Sequence, residues 1–247
     1  MSTTPTVQFE LVPRAKLTPA QKGDMFQLLT QHFDGVAPGQ FTRDLAEKNL
    51  ALLLQRGDEL VGFSTLLAYT TDFAGAGVNV IYSGDTIVAP EAWGSTALPR
   101  AWVAGVDALR ATLPPGRCFW LLLTSGFRTY RFLPVFWREF FPRFDQPTPP
   151  ETQQLLDQLS RERFGAQFDS RTGIVRFNSP QRLRAALKKI PAGRERDPHV
   201  SYFCARNPRH AHGEELVCLT ELNDENLTGA GRRMVGPRPN ELLCHHR

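Results

Sequence analysis

A loop between an apolar, β-rich segment and a helix carries the strongest chemical signal in the sequence. Residues 78–88 predict a strand, and residues 89–97 lead into a helix that Ser95 or Thr96 is suited to cap. The first N–H groups of a helix lack partners within the helix, and the positive end of its dipole lies there. The loop therefore predicts a site for phosphate or pyrophosphate, with an ordinary strand-to-helix connection as the alternative.

Two short fragments contain residues that are typical of metal ligands, His210-Ala211-His212 and Cys244-His245-His246. Neither supplies four ligands, so solvated loop histidines are the favoured interpretation and no metal is expected. The four cysteines are widely spaced and form no C-x-x-C pair, which favours reduced thiols in a cytoplasm. The sequence also lacks the G-x-S-x-G and G-x-x-x-x-G-K-[ST] motifs, which argues against a serine hydrolase and a nucleotide triphosphatase.

Aromatic residues alternate with arginines in residues 127–144. Three interpretations are open: packing in the core, an apolar pocket for an acyl chain or bulky substrate, and stacking on nucleic-acid bases. The density of rings favours burial. The aromatic residues are Phe127, Tyr130, Phe132, Phe136, Trp137, Phe140, Phe141 and Phe144.

Composition indicates a folded globular protein. The chain has 247 residues, of which 41% are hydrophobic and 22% charged, enough for one large domain or a core with an extension. The formal net charge is +4, with the basic excess in the last third, so nucleic-acid binding is a minor alternative. The N-terminus does not resemble a signal peptide, and the apolar run at 118–123 is too short to span a membrane.

The elements that must position the loop follow the predicted order β-α-α-β-β-β-α-β-α. Thr18-Pro19 starts the first helix, and Gly57-Asp58 supplies the turn of a hairpin over residues 50–69. Gly84 interrupts the strand before the loop and predicts a bulge or a close approach of backbone. Residues 125–141 predict an aromatic helix bent at Pro134, or two pieces of one.

A proline-rich linker at residues 146–150 divides the chain into a core, 1–146, and a C-terminal extension, 147–247. We expect the extension to pack on the core, because its short strands need partners. Its pattern predicts helices over residues 151–164 and from Ser179-Pro180 to 190. It also predicts strands over residues 173–178, 200–205 and 216–222.

The order of these elements and the segment TIVAPEAWGSTA at residues 86–97 resemble the GCN5-related N-acetyltransferase (GNAT) superfamily. In that family a V-x-P sequence precedes a loop of the type R/Q-G-x-G-x-G/A, and Val88, Pro90 and Gly94 match this pattern. Trp93 stands in the place of Arg or Gln, Thr96 in that of the second glycine and Leu98 in that of the last small residue. The resemblance covers roughly residues 7–145.

The resemblance implies an acyl-coenzyme A co-substrate and assigns residues to it. The strand would pair with the pantetheine arm, and the amides of the loop would hold the pyrophosphate. Ser125 matches a frequent coenzyme contact, with a helix cap as its alternative. The implied coenzyme A residues are Ile87, Val88, Trp93, Gly94, Ser95, Thr96, Ala97 and Ser125.

The same resemblance implies a splay between the strand that ends at Val88 and the strand at 118–123, where acyl group and amine meet. Asp85 or an ordered water is the expected base, and Tyr130 the expected acid for the departing thiolate. The alternatives are a solvated bulge carboxylate for Asp85 and a core or rim aromatic for Tyr130.

We therefore expect an α/β (α+β) fold of GNAT type, with a mixed, mostly antiparallel sheet flanked by helices and a C-terminal α/β extension. The expected activity is transfer of an acyl group from coenzyme A, or a carrier thioester, to an amine. A binding protein that keeps this fold without catalysis is the second hypothesis, supported by the missing glycines, and a nucleic-acid binder is the third. The acceptor and the oligomeric state are not indicated.

Overall fold

The computed structural model describes residues 7–92, 96–188 and 190–235. In these ranges the strands are β1 (Val7–Pro13), β2 (Phe33–Asp34), β3 (Leu50–Arg56), β4 (Glu59–Phe73), β5 (Ala76–Val88), β6 (Cys118–Thr124), β7 (Phe168–Asp169), β8 (Ile174–Val175), β9 (Arg182–Leu183) and β10 (Glu215–Glu221). The helices are α1 (Pro19–His32), α2 (Pro38–Ala46), α3 (Ala97–Arg110), α4 (Phe127–Tyr130), α5 (Phe132–Phe136), α6 (Pro150–Phe164), α7 (Ala185–Lys188), α8 (Pro198–Arg206) and α9 (Gly229–Met234).

Eight of the strands form one sheet in the order β1-β3-β4-β5-β6-β10-β8-β7, and β2 pairs with β9 apart from it. Strands β5 and β6 pair in parallel, and the other neighbours in the large sheet are antiparallel. The predicted fold class, a mixed and mostly antiparallel sheet flanked by helices, is therefore confirmed. Strand β10 belongs to the second half of the chain and pairs with β6 in this same sheet. The division of the chain between residues 146 and 147 stays a prediction.

Local signals explain how α1 and the first hairpin form. The hydroxyl of Thr18 accepts a hydrogen bond from the Gln21 amide at 3.1 Å, and the Gln21 side chain accepts one from the Thr18 amide at 2.9 Å. This reciprocal pair satisfies two N–H groups at the helix start. Gly57 has a φ of +62° in the β3–β4 turn, where glycine carries no steric penalty. The predicted starts of the helix and of the turn are both confirmed.

The sheet separates its buried side chains by alternation. Ile81 lies on the face covered by α3, whereas Val80 and Tyr82 lie on the face covered by α6. Farther along β5, Ile87 packs with α1 and α2. Side chains of neighbouring strand residues point to opposite faces, so this alternation decides which helices a β5 side chain meets. A register shift of β5 against β4 after Ser83 changes the phase of the alternation, so Ile87 meets α1 and α2 and not α3.

Several predictions for the extension are wrong. Residues 200–205 belong to helix α8, not to a strand, because Asp197 caps its start and Pro198 occupies its first turn. The strand at 173–178 is reduced to β8, and the helix expected up to residue 190 is replaced by β9 and the short α7. The helix at 151–164 and the strand at 216–222 are confirmed as α6 and β10.

The aromatic segment forms two short helices, α4 and α5, and Pro134 lies inside the second. After α5 the chain is extended, with bridges from Trp137 to Leu227 and from Phe141 to Leu219. Most of the rings are in the core, where Trp137 joins Trp102 and Trp120. Of the three interpretations of this segment, the structure favours core packing.

Candidate active site

Strands β5 and β6 stop pairing before they end. Their parallel register runs from Asn79↔Cys118 to Ser83↔Leu122, although β5 continues to Val88. Beyond that point β5 remains paired with β4, and β6 with β10. The Trp120 indole N–H donates to the Ser83 hydroxyl at 2.9 Å at the last shared position. The geometry at this end of the two strands matches the splay that the resemblance implied.

A bulge in β5 lies next to the end of this pairing. The register of β4 with β5 changes from Ser64↔Thr86 to Leu66↔Ser83, which leaves Gly84 and Asp85 opposite one residue of β4. A Cβ atom on Gly84 would lie 2.6 Å from Lys48 Cε and 2.7 Å from Thr65 Oγ1. The predicted reason for a glycine here, a bulge with a close approach, is confirmed. A glycine lets the Lys48 side chain lie directly on the β5 backbone.

Asp85 is the residue that the bulge presents. Its side chain is half-buried and makes no hydrogen bond or ion pair with any residue that the structure describes. Its pKa is raised to about 6, chiefly by burial and also by the negative charge of Asp44, while the positive charge of Lys48 opposes both. A carboxylate with a pKa near neutrality and no partner is suited to accept a proton.

Lys48 holds its ammonium group between α2 and β5. The side chain is 5% exposed, and Nζ donates to the Asp44 carbonyl at 3.0 Å. Nζ also lies 5.3 Å from the centre of the Tyr82 ring. Burial lowers the pKa of Lys48, and the nearby Arg163 lowers it further. Arg163 lies 4.9 Å from the same ring and pairs with Glu47, so two cations contact Tyr82.

Glu215 adds a second carboxyl group that the sequence did not single out. It opens β10, next to Leu216, which pairs with Thr124 at the end of β6. Glu215 is two residues before Val217 on the same strand, so both side chains lie on one face of the sheet, the face that also carries Tyr82. Burial, with a smaller contribution from the negative charge of Asp85, raises the pKa of Glu215 to about 8. The only signal in the sequence was an acidic pair, Glu214 and Glu215, directly before a buried strand.

The raised pKa of Glu215 gives a stability prediction. Between its ordinary value of 4.5 and about 8, the unfolded chain loses this proton while the folded protein keeps it, so stability falls as pH rises through this window. Glu215→Gln removes that loss. We expect the variant to gain about 2 kcal/mol over the parent at pH 9, because one pKa unit corresponds to about 1.4 kcal/mol and the half-buried group is partly screened.

Urea unfolding of both proteins at pH 5 and pH 9 checks this expectation. Glu10→Gln, on an exposed position of β1, is the matched control and should not change the pH dependence. A parent and a Glu215→Gln variant with parallel pH profiles would contradict the assignment of the raised pKa to Glu215.

Tyr130 is a core residue. Its side chain is fully buried, and the hydroxyl donates to the Pro142 carbonyl at 2.9 Å. Its ring packs against Phe140 and Phe203. Burial raises the pKa of Tyr130 far above its ordinary value. These contacts place Tyr130 in the core, in line with the alternative given for it above, and we leave it out of the proposed mechanism.

The residues expected to bind coenzyme A are only partly described. Trp93, Gly94 and Ser95 lie outside the described residues. Thr96 is exposed and precedes the first residue of α3, Ala97. The Thr96 side chain does not cap the helix, and the first turn of α3 contains no acidic residue. An anion would therefore meet neither a competing carboxylate nor a hydroxyl cap from Thr96 at this helix start.

The remaining expected coenzyme residues lie on the strands that diverge. Ile87 and Val88 are buried and lie in the part of β5 that follows its pairing with β6. Ser125 directly follows β6, and its carbonyl accepts a hydrogen bond from His210 Nδ1 at 3.3 Å. Gly126, not Ser125, occupies the cap position of α4.

A groove in the described structure lies away from the splay. It has a volume of about 400 Å³, lies at the other end of β6 and β10 and is lined by residues that include Arg117, Phe119, Thr220 and Glu221. Arg117 pairs there with Glu221 at 2.9 Å. This groove does not include Asp85 or Glu215.

Within the described ranges no group of three or more histidine, cysteine or acidic residues is placed to hold a metal ion. The second histidine-rich fragment, which contains Cys244, lies outside the described residues. Among the helices of the described part, none has the length and apolar character needed to cross a membrane.

Comparison with known proteins gives similarity to solved structures only. No family model matches the sequence, and no curated protein matches it. ElaA of Escherichia coli is 14% identical with a TM-score of 0.40, over 59% of this chain and 95% of its own. The GNAT family N-acetyltransferase YhbS of Escherichia coli, solved in complex with CoA, is 17% identical with a TM-score of 0.40, over 53% of this chain and 71% of its own. A probable N-acyltransferase of Enterococcus faecalis V583 is 10% identical with a TM-score of 0.41, over 89% of this chain and 67% of its own. Solved structures similar to this chain thus include GNAT family N-acetyltransferases.

Proposed function

We propose that this protein transfers an acyl group from an acyl-coenzyme A to an amine in the gap between β5 and β6. The observation that carries the proposal is Asp85, which has a raised pKa and no hydrogen-bond or ion-pair partner among the described residues, at the point where two parallel strands diverge. An amine reaches the site as an ammonium ion and must lose a proton before it can attack a thioester. A carboxylate with a pKa of about 6 is largely ionised at neutral pH and still basic enough to take that proton.

The transfer requires one bond to form and one to break. The ammonium group gives a proton to the Asp85 carboxylate, and the free amine nitrogen then attacks the thioester carbonyl. The new C–N bond forms as the C–S bond breaks, and the thiolate of coenzyme A leaves with the bonding pair. After the attack the nitrogen still carries one proton more than an amide does, and it gives that proton up as the sulfur gains one, so the products are a neutral amide and the free thiol.

Glu215 is suited to supply the proton that the sulfur gains. With a pKa of about 8 it is largely protonated at neutral pH, whereas Asp85 is largely ionised. Two neighbouring carboxyl groups with separated pKa values are a common arrangement for an acid and a base. Glu215 takes the role for which Tyr130 was expected.

The donor would approach from the side of α3. The backbone of Ile87 and Val88 would pair with the pantetheine arm, and the start of α3 at Thr96 and Ala97 would hold the pyrophosphate. The first turn of α3 contains no acidic residue, which supports this placement. Trp93, Gly94, Ser95 and Ser125 remain part of the same proposal through the resemblance.

Thermal unfolding with coenzyme A, acetyl-coenzyme A and a long-chain acyl-coenzyme A tests the donor site. We expect a ligand at about 100 times its dissociation constant to stabilise the protein by about 2.7 kcal/mol. Adenosine diphosphate serves as a control that contains the pyrophosphate without pantetheine. Stabilisation by coenzyme A together with amide formation from an amine panel supports the enzyme.

A binding protein without catalysis is the second candidate. Trp93, Thr96 and Leu98 stand where the family pattern has Arg or Gln, glycine and a small residue, and bulkier side chains narrow the approach to a helix start. Stabilisation by coenzyme A with no amide formed on any amine would favour this candidate. The absence of any stabilisation would contradict the acyltransferase and make the binding protein, in which the coenzyme A site is lost, the leading candidate.

A further inference from the structure

Residues 180–188 of the extension, called the strap below, connect the two sides of the proposed active site. One side is the end of α1 with β2, next to α2 and its neighbour Lys48, which contacts the β5 bulge. The other side is the end of β6 with α4. The strap makes polar contacts with both.

The first anchor of the strap is on the α1 side. Strand β9 of the strap pairs with β2, with Phe33 opposite Leu183 and Asp34 opposite Arg182. The Arg184 amide donates to the His32 carbonyl at 2.9 Å. The Arg184 guanidinium donates to the Thr30 carbonyl at 2.8 Å and lies 3.4 Å from an Asp34 oxygen.

The second anchor is on the β6 side. Arg128 of α4 donates to the Leu187 carbonyl at 3.1 Å. Lys188 Nζ donates to the Ala211 carbonyl at 2.9 Å, and the neighbouring His210 donates to the Ser125 carbonyl. The strap therefore reaches both sides of the end at which β5 and β6 diverge.

Two glycines hold the strap at close range. A Cβ on Gly35 would lie 2.9 Å from the Pro180 carbonyl oxygen, and one on Gly213 would lie 2.6 Å from the Gln181 carbonyl oxygen. Both glycines have a φ of +85°. A larger residue at either position would have to move strap backbone, so the sequence permits this packing only with glycine.

We infer that the strap limits the acceptor of the proposed acyl transfer to a small amine and excludes amines carried on a folded protein. This inference rests on the proposed function. A macromolecular acceptor has to bring its amine past residues that connect both sides of the gap, whereas a small amine does not need the anchors to separate.

Competing acceptors test the inference. With the acyl-coenzyme A that stabilises the protein most, we expect kcat/KM for a small diamine such as putrescine to exceed that for cytochrome c, a lysine-rich folded protein, by about 100-fold or more. Gly213→Ala and Gly35→Ala should shift this ratio toward cytochrome c by about tenfold or more. Gly193→Ala is the matched control, since Gly193 has a φ of +86° but open space around its Cβ position, and it should keep the parental ratio.

A thiol-labelling experiment tests whether the strap restricts access to the site, and it does not require the protein to transfer an acyl group. The protein for this experiment carries Asp85→Cys together with Cys204→Ser and Cys244→Ser. The thiol introduced at position 85 should react much faster with N-ethylmaleimide than with a maleimide group linked through its nitrogen to albumin. Gly213→Ala should reduce the ratio of these two labelling rates. The double variant Arg128→Ala with Arg184→Ala should reduce it as well, because it removes side-chain contacts of the strap without adding a Cβ atom. Equal relative rates in the parent and both variants, or equal kcat/KM for putrescine and cytochrome c in the parent, would overturn the inference. If no acyl-coenzyme A stabilises the protein, the proposed function fails, and the labelling rates still decide whether the strap restricts access.

Discussion

Replacement of Asp85 by asparagine is expected to lower kcat for amide formation by about 100-fold or more, because a positioned general base contributes roughly that much. Asparagine has nearly the same shape as aspartate but cannot take a proton from an ammonium ion. The side chain has no hydrogen bond or ion pair to lose among the described residues, so the fold should persist. Above pH 6 the Asp85→Asn variant should be slightly more stable than the parent, because the parent buries an ionised carboxylate there at a cost in free energy.

The pH profile separates a base from a structural residue. In the parent protein kcat/KM should rise with pH through about 6, the pKa of Asp85. The Asp85→Asn variant should lose this acidic limb. Its loss of kcat/KM should be smaller for an amine that is already neutral at pH 6, because such an amine needs no base before it attacks. Asp58→Asn, in the exposed β3–β4 turn, makes the same chemical change elsewhere and should keep the parental profile. Unchanged kcat in Asp85→Asn would remove Asp85 from the mechanism and leave an ordered water as the base.

Features of the fold and of the candidate site that depend on local chemistry were predictable from the sequence. Gly84 inside an otherwise β-rich run predicted the bulge, and Thr18-Pro19 predicted the start of α1. Both signals act through the backbone conformation of one or two residues, so they do not depend on which elements pack nearby. Asp85 was singled out through the family resemblance, and the bulge that presents it was predicted separately from Gly84.

Features that depend on pairing between distant segments were not predictable. Glu215 lies near Asp85 only because β10 pairs with β6, and nothing in residues 215–221 specifies that partner. The pKa of Glu215 is a consequence of this neighbourhood and of burial, not of the residue type. The strap likewise depends on the pairing of Leu183 with Phe33, a contact between segments far apart in sequence.

Tyr130 shows that a position in a family pattern does not predict burial. A tyrosine shortly after the second strand fitted the role of an acid by its position in the family pattern. Its hydroxyl finds a partner in the Pro142 carbonyl, as buried tyrosines usually do, and its ring fills the core between Phe140 and Phe203. Residue type and order along the chain could not distinguish a buried hydroxyl from one that faces the gap between β5 and β6.

Substitution of Gly84 by alanine is the second change with a large expected effect. The added methyl group would lie 2.6 Å from Lys48 Cε and 2.7 Å from Thr65 Oγ1, so the Lys48 side chain must move. Overpacking of this kind costs about 1–3 kcal/mol. Gly77→Ala is a matched control on the same strand, because its nearest neighbour would be Thr70 Cγ2 at an ordinary 3.9 Å.

The displacement of Lys48 also has a chemical consequence. Its positive charge favours the ionised form of Asp85, so its departure should raise the pKa of Asp85 above about 6 and move the acidic limb of the pH profile to higher pH. Lys48→Met removes the same charge without a new methyl group on β5 and should shift the limb in the same direction. Gly77→Ala should leave it in place. A loss of stability in Gly84→Ala with no shift of the limb in either variant would mean that Lys48 only fills space beside the bulge. A shared upward shift would mean that the bulge, by admitting Lys48 against the backbone, keeps Asp85 ionised at neutral pH and so available as the base.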